Sequence, residues 1–255
     1  MKKEVIKKQV RSFDYVAALT AAKDITSFLD PNVMNLLEAA AARIKLDRAQ
    51  SKRYLKGLDY KMFPHESGSE IDCFEYLLLL RIKMIKEEYI DFLRGITPLF
   101  AALLERIVER ETGIEIRQYC YGRKGVNNTM FTKWDERKVE TNQIIRDVLT
   151  MDGKWELRSQ VVTSAHLVEI LKRLSNNTAL KKLIEDIRTV EESVRNPAAH
   201  CITYMNEEVL KKETGHSAAK IFDMLKKLSF YSGIKVTEED LQSYEQCNQK
   251  IISLL

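Results

Sequence analysis

Arg195 and His200 stand five positions apart in the run Arg-Asn-Pro-Ala-Ala-His, and together these side chains suit chemistry on a phosphodiester. An arginine stays protonated and offers a fork of N–H donors that fits phosphate oxygens. An imidazole, with an ordinary pKa of about 6.5, exchanges protons near neutrality. The residues between them form a helix-start signal. Asn196 is a favoured N-cap, and Pro197 suits the first helical position, where its missing N–H is no loss. The residue before a proline is pushed out of the α region. One helix is therefore expected to end near Arg195 and the next to run Pro197–Met205, with His200 in its first turn. A helix N-terminus attracts anions through free N–H groups and the positive end of the macrodipole. It should also lower the His200 pKa and favour the neutral base. The structural alternative is a plain helix corner, with Arg195 solvated and His200 a half-buried, satisfied histidine.

The segment before the motif has apolar residues at three- and four-residue intervals: Leu180, Leu183, Ile184, Ile187, Val190 and Val194. That is the pattern of an amphipathic helix, capped by Asn177 or Thr178. Arg195–His200 resembles the R-X4-H signature of HEPN ribonucleases, in the Arg-Asn-x-x-Ala-His form of Csm6 proteins from type III CRISPR systems. Ser12-Phe13-Asp14-Tyr15-Val16-Ala17-Ala18-Leu19 is similar to the Phe-Asp-Tyr-x-x-Ala helix that opens the six-helix region of that family. The resemblance covers essentially the whole chain and implies an all-α fold. A helical linker domain of the six-helix type is expected at 1–113, followed by a HEPN helical-bundle domain at 114–255. Csm6 proteins begin with a CARF domain, a Rossmann-like unit that binds cyclic oligoadenylate. Nothing here alternates strands with helices or shows a Gly-rich strand-to-helix turn. The sensing domain is thus expected to be absent from this chain, and cyclic oligoadenylate to act only through it.

The resemblance further implies a metal-independent, single-strand-specific endoribonuclease of antiviral defence. Its reaction would leave a 2′,3′-cyclic phosphate and a 5′-hydroxyl, with DNA resistant for lack of a 2′-OH. The candidate catalytic residues are Arg195, which would hold transition-state charge, His200, which would move protons, and Asn196, which would contact phosphate or orient His200 unless its N-cap position occupies it. One histidine and one arginine make a sparse site. In the family, two protomers bring their motifs together across a twofold interface, so a homodimer with a composite cleft acting on single-stranded RNA is expected. Two alternatives stay open: a HEPN toxin silenced by an antitoxin, and a non-catalytic helical dimerisation module.

Residues 114–134 interleave aromatic and basic side chains, a mixture that can stack bases and neutralise phosphates. Tyr121, Arg123 and Lys124 are the candidate substrate-binding residues there. An ordinary surface connection is the competing reading, and Gly122 with Gly125 admits a short hairpin.

Composition bounds the rest. The 255 residues are 45% hydrophobic and 31% charged, with a net charge of +4, compatible with a nucleic-acid partner without requiring one. Cys73, Cys120, Cys201 and Cys247 form no Cys-x-x-Cys pair, and the four histidines lack metal-ligand spacing. No disulfide framework, metal or cofactor is expected, and a reducing cytoplasm is the simplest setting. The N-terminus lacks the apolar core of a signal peptide, and Tyr76–Leu80 is too short to span a membrane. With only 4 Pro and 9 Gly, long helices are the default. They are expected over about 3–28, from Asp30-Pro31 onward, and over 47–56. A stretch at 71–108 is interrupted at Gly95 and Pro98, restarts at Thr97 and closes at Gly113. Further helices are expected at 135–149, 163–174, 178–195, 217–231 and 238–254, with a turn at Asp152-Gly153. His166 is expected to be a partly buried helix residue and His216 to sit at a helix start, with a place in the motif's cleft the alternative for His216. His65, Glu191, Glu192 and the pairs Lys181-Lys182 and Lys226-Lys227 are expected on solvated faces, with orientation of Arg195 the alternative role for Glu191 and Glu192.

Overall fold

Three helix corners in this protein fall at left-handed non-glycine residues, while Pro98 and Pro197 lie inside helices. The computed structural model describes residues 2–65, 70–124, 130–150, 161–200 and 204–255, with 123–124, 130–132 and 194–200 described by backbone alone. The expected first helix is two, α1 (Lys2–Arg11) and α2 (Tyr15–Lys23), parted at Phe13, whose φ is 59°. The Asp14 N–H reaches back to the Gln9 carbonyl at 2.9 Å, closing α1, while the Asp14 carboxylate caps α2 by accepting from the Ala17 N–H. The same device recurs between α3 (Pro31–Arg43) and α4 (Arg48–Leu55). There Leu46 has a φ of 60° and Asp47 caps the Gln50 N–H. Each non-glycine residue in this region costs about 1 kcal/mol, offset by closing one helix and opening the next across only three or four residues.

The stretch at 71–108 likewise breaks elsewhere than expected. It forms α5 (Glu70–Ile85) and α6 (Tyr89–Thr112), separated at Glu87 with φ 57°. Gly95 and Pro98 lie inside α6. A proline in a helix interior costs about 3 kcal/mol, but α6 buries Phe92, Leu93, Ile96, Leu99, Phe100 and five further residues. Each large side chain so buried returns about 1.5–3 kcal/mol, so packing outweighs the local breaker. Gly113 ends α6 in the left-handed conformation, as expected.

The connection at 114–134 is a two-stranded antiparallel hairpin, β1 (Cys120–Lys124) with β2 (Met130–Trp134), in which Tyr121 faces Lys133. Beyond it lie α7 (Glu136–Val139), α8 (Gln143–Leu149), α9 (Ser164–Leu174), α10 (Thr178–His200), α11 (Glu207–Thr214), α12 (Ala218–Tyr231), α13 (Glu238–Leu241) and α14 (Ser243–Leu254). The helix α11 has no counterpart in the sequence-based expectation. The Asp152-Gly153 turn, the loop from Gly125 to Asn128, residues 66–69 and Cys201 fall outside the described residues. The fold is all-α apart from the hairpin, and no described helix is long and apolar enough to cross a membrane.

The chain forms two compact units, Met1–Lys86 with Val236–Leu255, and Glu87–Lys235. This division is not sequential and does not follow the expected boundary near Gly113. The first unit is organised around Arg43, which is 1% exposed. Its guanidinium donates two hydrogen bonds to Glu75 (2.7 and 2.9 Å) and one to Ser243 (2.9 Å), and lies 4.1 Å from the Tyr244 ring centroid. The second unit is organised around α6, α9, α10 and α12, which pack against one another.

Candidate active site

α10 carries the Arg195–His200 motif, and its position corrects the expected geometry. The helix is continuous from Thr178 to His200, so no helix ends near Arg195 and none starts at Pro197. Asn196 is an interior residue rather than an N-cap. Arg195, Asn196 and His200 occupy the last two turns of a 23-residue helix, whose described part ends at His200. The physical ground for a lowered His200 pKa, a helix N-terminus, is therefore absent. Burial again overrides a local breaker: Leu180, Ile184, Ile187 and Val190 are each at most 1% exposed and hold α10 in the core of its unit. Asn177 caps the other end, its Oδ1 accepting from the Leu180 N–H at 3.0 Å.

The side chain that fixes α10 next to the motif is Glu191, one turn before Arg195. It is 1% exposed, contrary to the solvated face expected for it. Ser164 on α9 donates its hydroxyl to the Glu191 carboxylate at 2.9 Å, and Arg188 pairs with the same carboxylate. The Arg188 fork also reaches Glu192 at 2.8 Å on the exposed side. A signal for this was present in the sequence, because Glu191 follows Leu180, Ile184 and Ile187 at spacings that keep it on the apolar stripe.

The first turn of α9 also anchors the hairpin. His166 is buried, and its Nδ1 accepts from the indole Nε1–H of Trp134 at 3.2 Å and from the Thr163 backbone N–H at 3.1 Å. Two N–H donors on Nδ1 assign the proton of the neutral ring to Nε2. Burial pushes the His166 pKa down to about 4, so this histidine is neutral at physiological pH. Ser164 and His166, two residues apart, thus tie α10 and the hairpin to the same helical turn. Of the candidate substrate-binding residues, Tyr121 is exposed on β1, and Arg123 and Lys124 end that strand opposite Phe131 and Met130. The described contacts bring the base of the hairpin to α9. They place none of the three residues against the motif.

Toward its N-terminal end α10 lines a cavity of about 440 Å³ with α12. Lys182 from α10, Lys220 and Lys227 from α12, and His216 just before α12 border it, together with Asp186 and Phe230. The lysine pairs expected on solvated faces thus each contribute one member to a shared groove. His65, expected in solvent, is half-buried with its ring 4.5 Å from that of Phe74.

A family model described as the Cas_Csm6 HEPN domain matches residues 62–252, and one described as the Csm6 6H domain matches residues 1–44. The CRISPR system endoribonuclease Csm6 of Mycobacterium tuberculosis is 24% identical over 247 residues, covering 97% of this chain and 53% of that protein. The structure of Enterococcus italicus Csm6 bound to cyclic hexa-2′-fluoro-hexa-dAMP aligns with a TM-score of 0.72 at 16% identity, over 100% of this chain and 57% of that one. At that identity the likeness shows the fold. The chain spans about half the length of these relatives.

Proposed function

This chain belongs to the Csm6 HEPN family, and from that premise we propose that it is the helical ribonuclease part of a type III CRISPR defence protein, cleaving single-stranded RNA without a metal ion. The observation that supports this most directly is the run Arg195-Asn196-Pro197-Ala198-Ala199-His200, set inside the span matched by the HEPN family model and at the end of a helix held by a buried carboxylate.

In this reading the 2′-oxygen attacks the adjacent phosphorus, the bond from phosphorus to the 5′-oxygen breaks, and the products are a 2′,3′-cyclic phosphate and a 5′-hydroxyl. His200 carries the proton between the 2′-OH and the departing 5′-oxygen. Arg195 donates to the non-bridging oxygens as charge accumulates on them. Asn196, relieved of any capping role by the continuous helix, contacts the phosphate or orients His200. Tyr121, Arg123 and Lys124 hold flanking nucleotides on the hairpin. Two copies bring their motifs into one cleft, which supplies the second set of acid–base and phosphate-binding groups that one motif lacks. Cyclic oligoadenylate acts through a CARF-type sensing domain rather than through these helices.

The test is cleavage of a fluorophore–quencher RNA in excess EDTA by wild type, Arg195→Ala and His200→Ala, with an all-DNA strand as control. Cleavage of RNA alone, reduced at least 100-fold in both variants at unchanged melting temperature, is the expected result. Equal cleavage by wild type and His200→Ala would remove the motif from the mechanism.

A further inference from the structure

We propose that the groove between α10 and α12 is an RNA-binding exosite that holds the single strand away from the scissile bond. This extends the ribonuclease reading to a surface that the motif does not include.

Three observations carry it. The first is charge. Lys182, Lys220 and Lys227 are exposed, border the groove, and have no ion-pair partner among the described residues. Nearby, Lys226 is paired with Asp223, Lys172 with Glu185, and Arg188 with Glu191 and Glu192. Asp186 is the one carboxylate among the lining residues, so the groove keeps a net positive charge even with His216 neutral.

The second is the aromatic end of the groove. Phe230 is 72% exposed, an unusual place for a ring on an otherwise amphipathic helix, and its centroid lies 6.2 Å from that of Tyr231, which also lines the groove. An exposed ring, here with a half-buried one beside it, next to unpaired lysines is the chemistry that grips single strands, by base stacking and phosphate neutralisation without sequence readout. The third is extent. Lys220 and Lys227 are two turns apart on α12, about 10 Å along its axis, too far for one phosphate and suited to successive phosphates of a strand. Lys182 precedes Arg195 by thirteen residues on the same helix, about 20 Å along it. The groove is therefore separate from the motif yet carried by the same rigid element.

The experiment measures binding of a non-cleavable 2′-O-methyl 20-mer by fluorescence anisotropy across a salt series. It uses the full chain as wild type, Lys182→Gln/Lys220→Gln/Lys227→Gln, Phe230→Ala and Lys250→Gln. The triple variant should bind at least 10-fold more weakly, and its slope of log K against log salt should be shallower by about 2, near 0.7 for each lost phosphate contact. Phe230→Ala should weaken binding by about 5- to 100-fold with the salt slope unchanged. Lys250→Gln, which removes an exposed charge outside the groove, should bind as wild type does. Binding and slope unchanged in the triple variant would overturn the exosite. So would a triple variant that binds RNA normally but changes its sedimentation coefficient, which would make the groove a contact between protein copies. Because the probe is never cut, this result is independent of the cleavage assay: RNA binding through the groove keeps the exosite whether or not RNA is cleaved, and equal cleavage by wild type and His200→Ala overturns the motif's role without touching the exosite.

Discussion

Two buried carboxylates, one in each compact unit, are bonded to arginine and do different work. Glu75 meets an arginine that is itself enclosed. Arg43 is 1% exposed, comes from a helix 32 residues away, and also binds Ser243 near the C-terminus. Burial alone would lower the guanidinium pKa, but the Glu75 hydrogen bonds and the charges around it hold it above its ordinary value. Glu191 is equally buried, but its arginine lies one turn away on the same helix with a side chain 20% exposed, and the contact that crosses between helices is the Ser164 hydroxyl. The first arrangement joins three sequence-distant helices of its unit. The second fixes how one helix, the one bearing the motif, sits on its neighbour. Here the ion pair between distant segments ties three helices together, whereas the local pair with its hydroxyl partner holds a single helix on its neighbour.

That contrast can be broken at its strongest point first. Glu75→Ala leaves Arg43 buried without its carboxylate and should cost about 3–5 kcal/mol, read as a lower urea midpoint. Activity per folded molecule should be unchanged. A loss below about 1 kcal/mol would mean water reaches Arg43 and would erase the distinction from Arg188.

A pH titration probes the second unit. His166 has a folded pKa near 4 against about 6.5 unfolded. Between those values the unfolded chain binds the extra proton, so the stabilisation is fully present above pH 6.5 and is lost as pH falls toward 4. The loss should approach about 3 kcal/mol, measured by urea denaturation at stepped pH. His166→Gln keeps an acceptor for Trp134 and Thr163 without titrating, and should flatten that limb. An identical limb in the variant would assign acid sensitivity to other groups.

The smallest of these effects is the sharpest on function. Glu191→Gln can keep the Ser164 hydrogen bond but loses the charge paired with Arg188, and should cost about 1–3 kcal/mol. Unlike Glu75→Ala, it should also lower kcat for RNA cleavage per folded molecule, because α10 carries Arg195 and His200. Unchanged kcat would make Glu191 a stabilising residue alone.

Much of the local grammar could be read directly. Asp30-Pro31 opens α3 with the Asp30 carboxylate on the Asn32 N–H, Thr237 and Asp240 form the reciprocal capping box of α13, and Gly113 closes α6. These depend on side chains within four residues of the backbone groups they satisfy. Pro98 and Pro197 misled for the complementary reason. A proline signals a break by its own geometry, while the burial that keeps α6 and α10 continuous comes from helices far along the chain. Phe13, Leu46 and Glu87 gave no warning of a corner: a left-handed non-glycine residue marks each place, followed by a side-chain cap at Asp14 and Asp47 but not at Glu88.

The sequence by itself determined the helical class, most helix starts, the family resemblance and the candidate residues Arg195, Asn196 and His200, since periodicity, caps and a spaced motif are local properties. The tertiary structure alone decided that the motif ends a helix instead of beginning one and that Glu191 is buried against Ser164. It also decided that His166 is a neutral anchor for Trp134, and that lysines 38 or more residues apart from Lys182 share a groove with it. Each of these depends on which distant surfaces exclude water together, and no window of neighbouring residues contains that information.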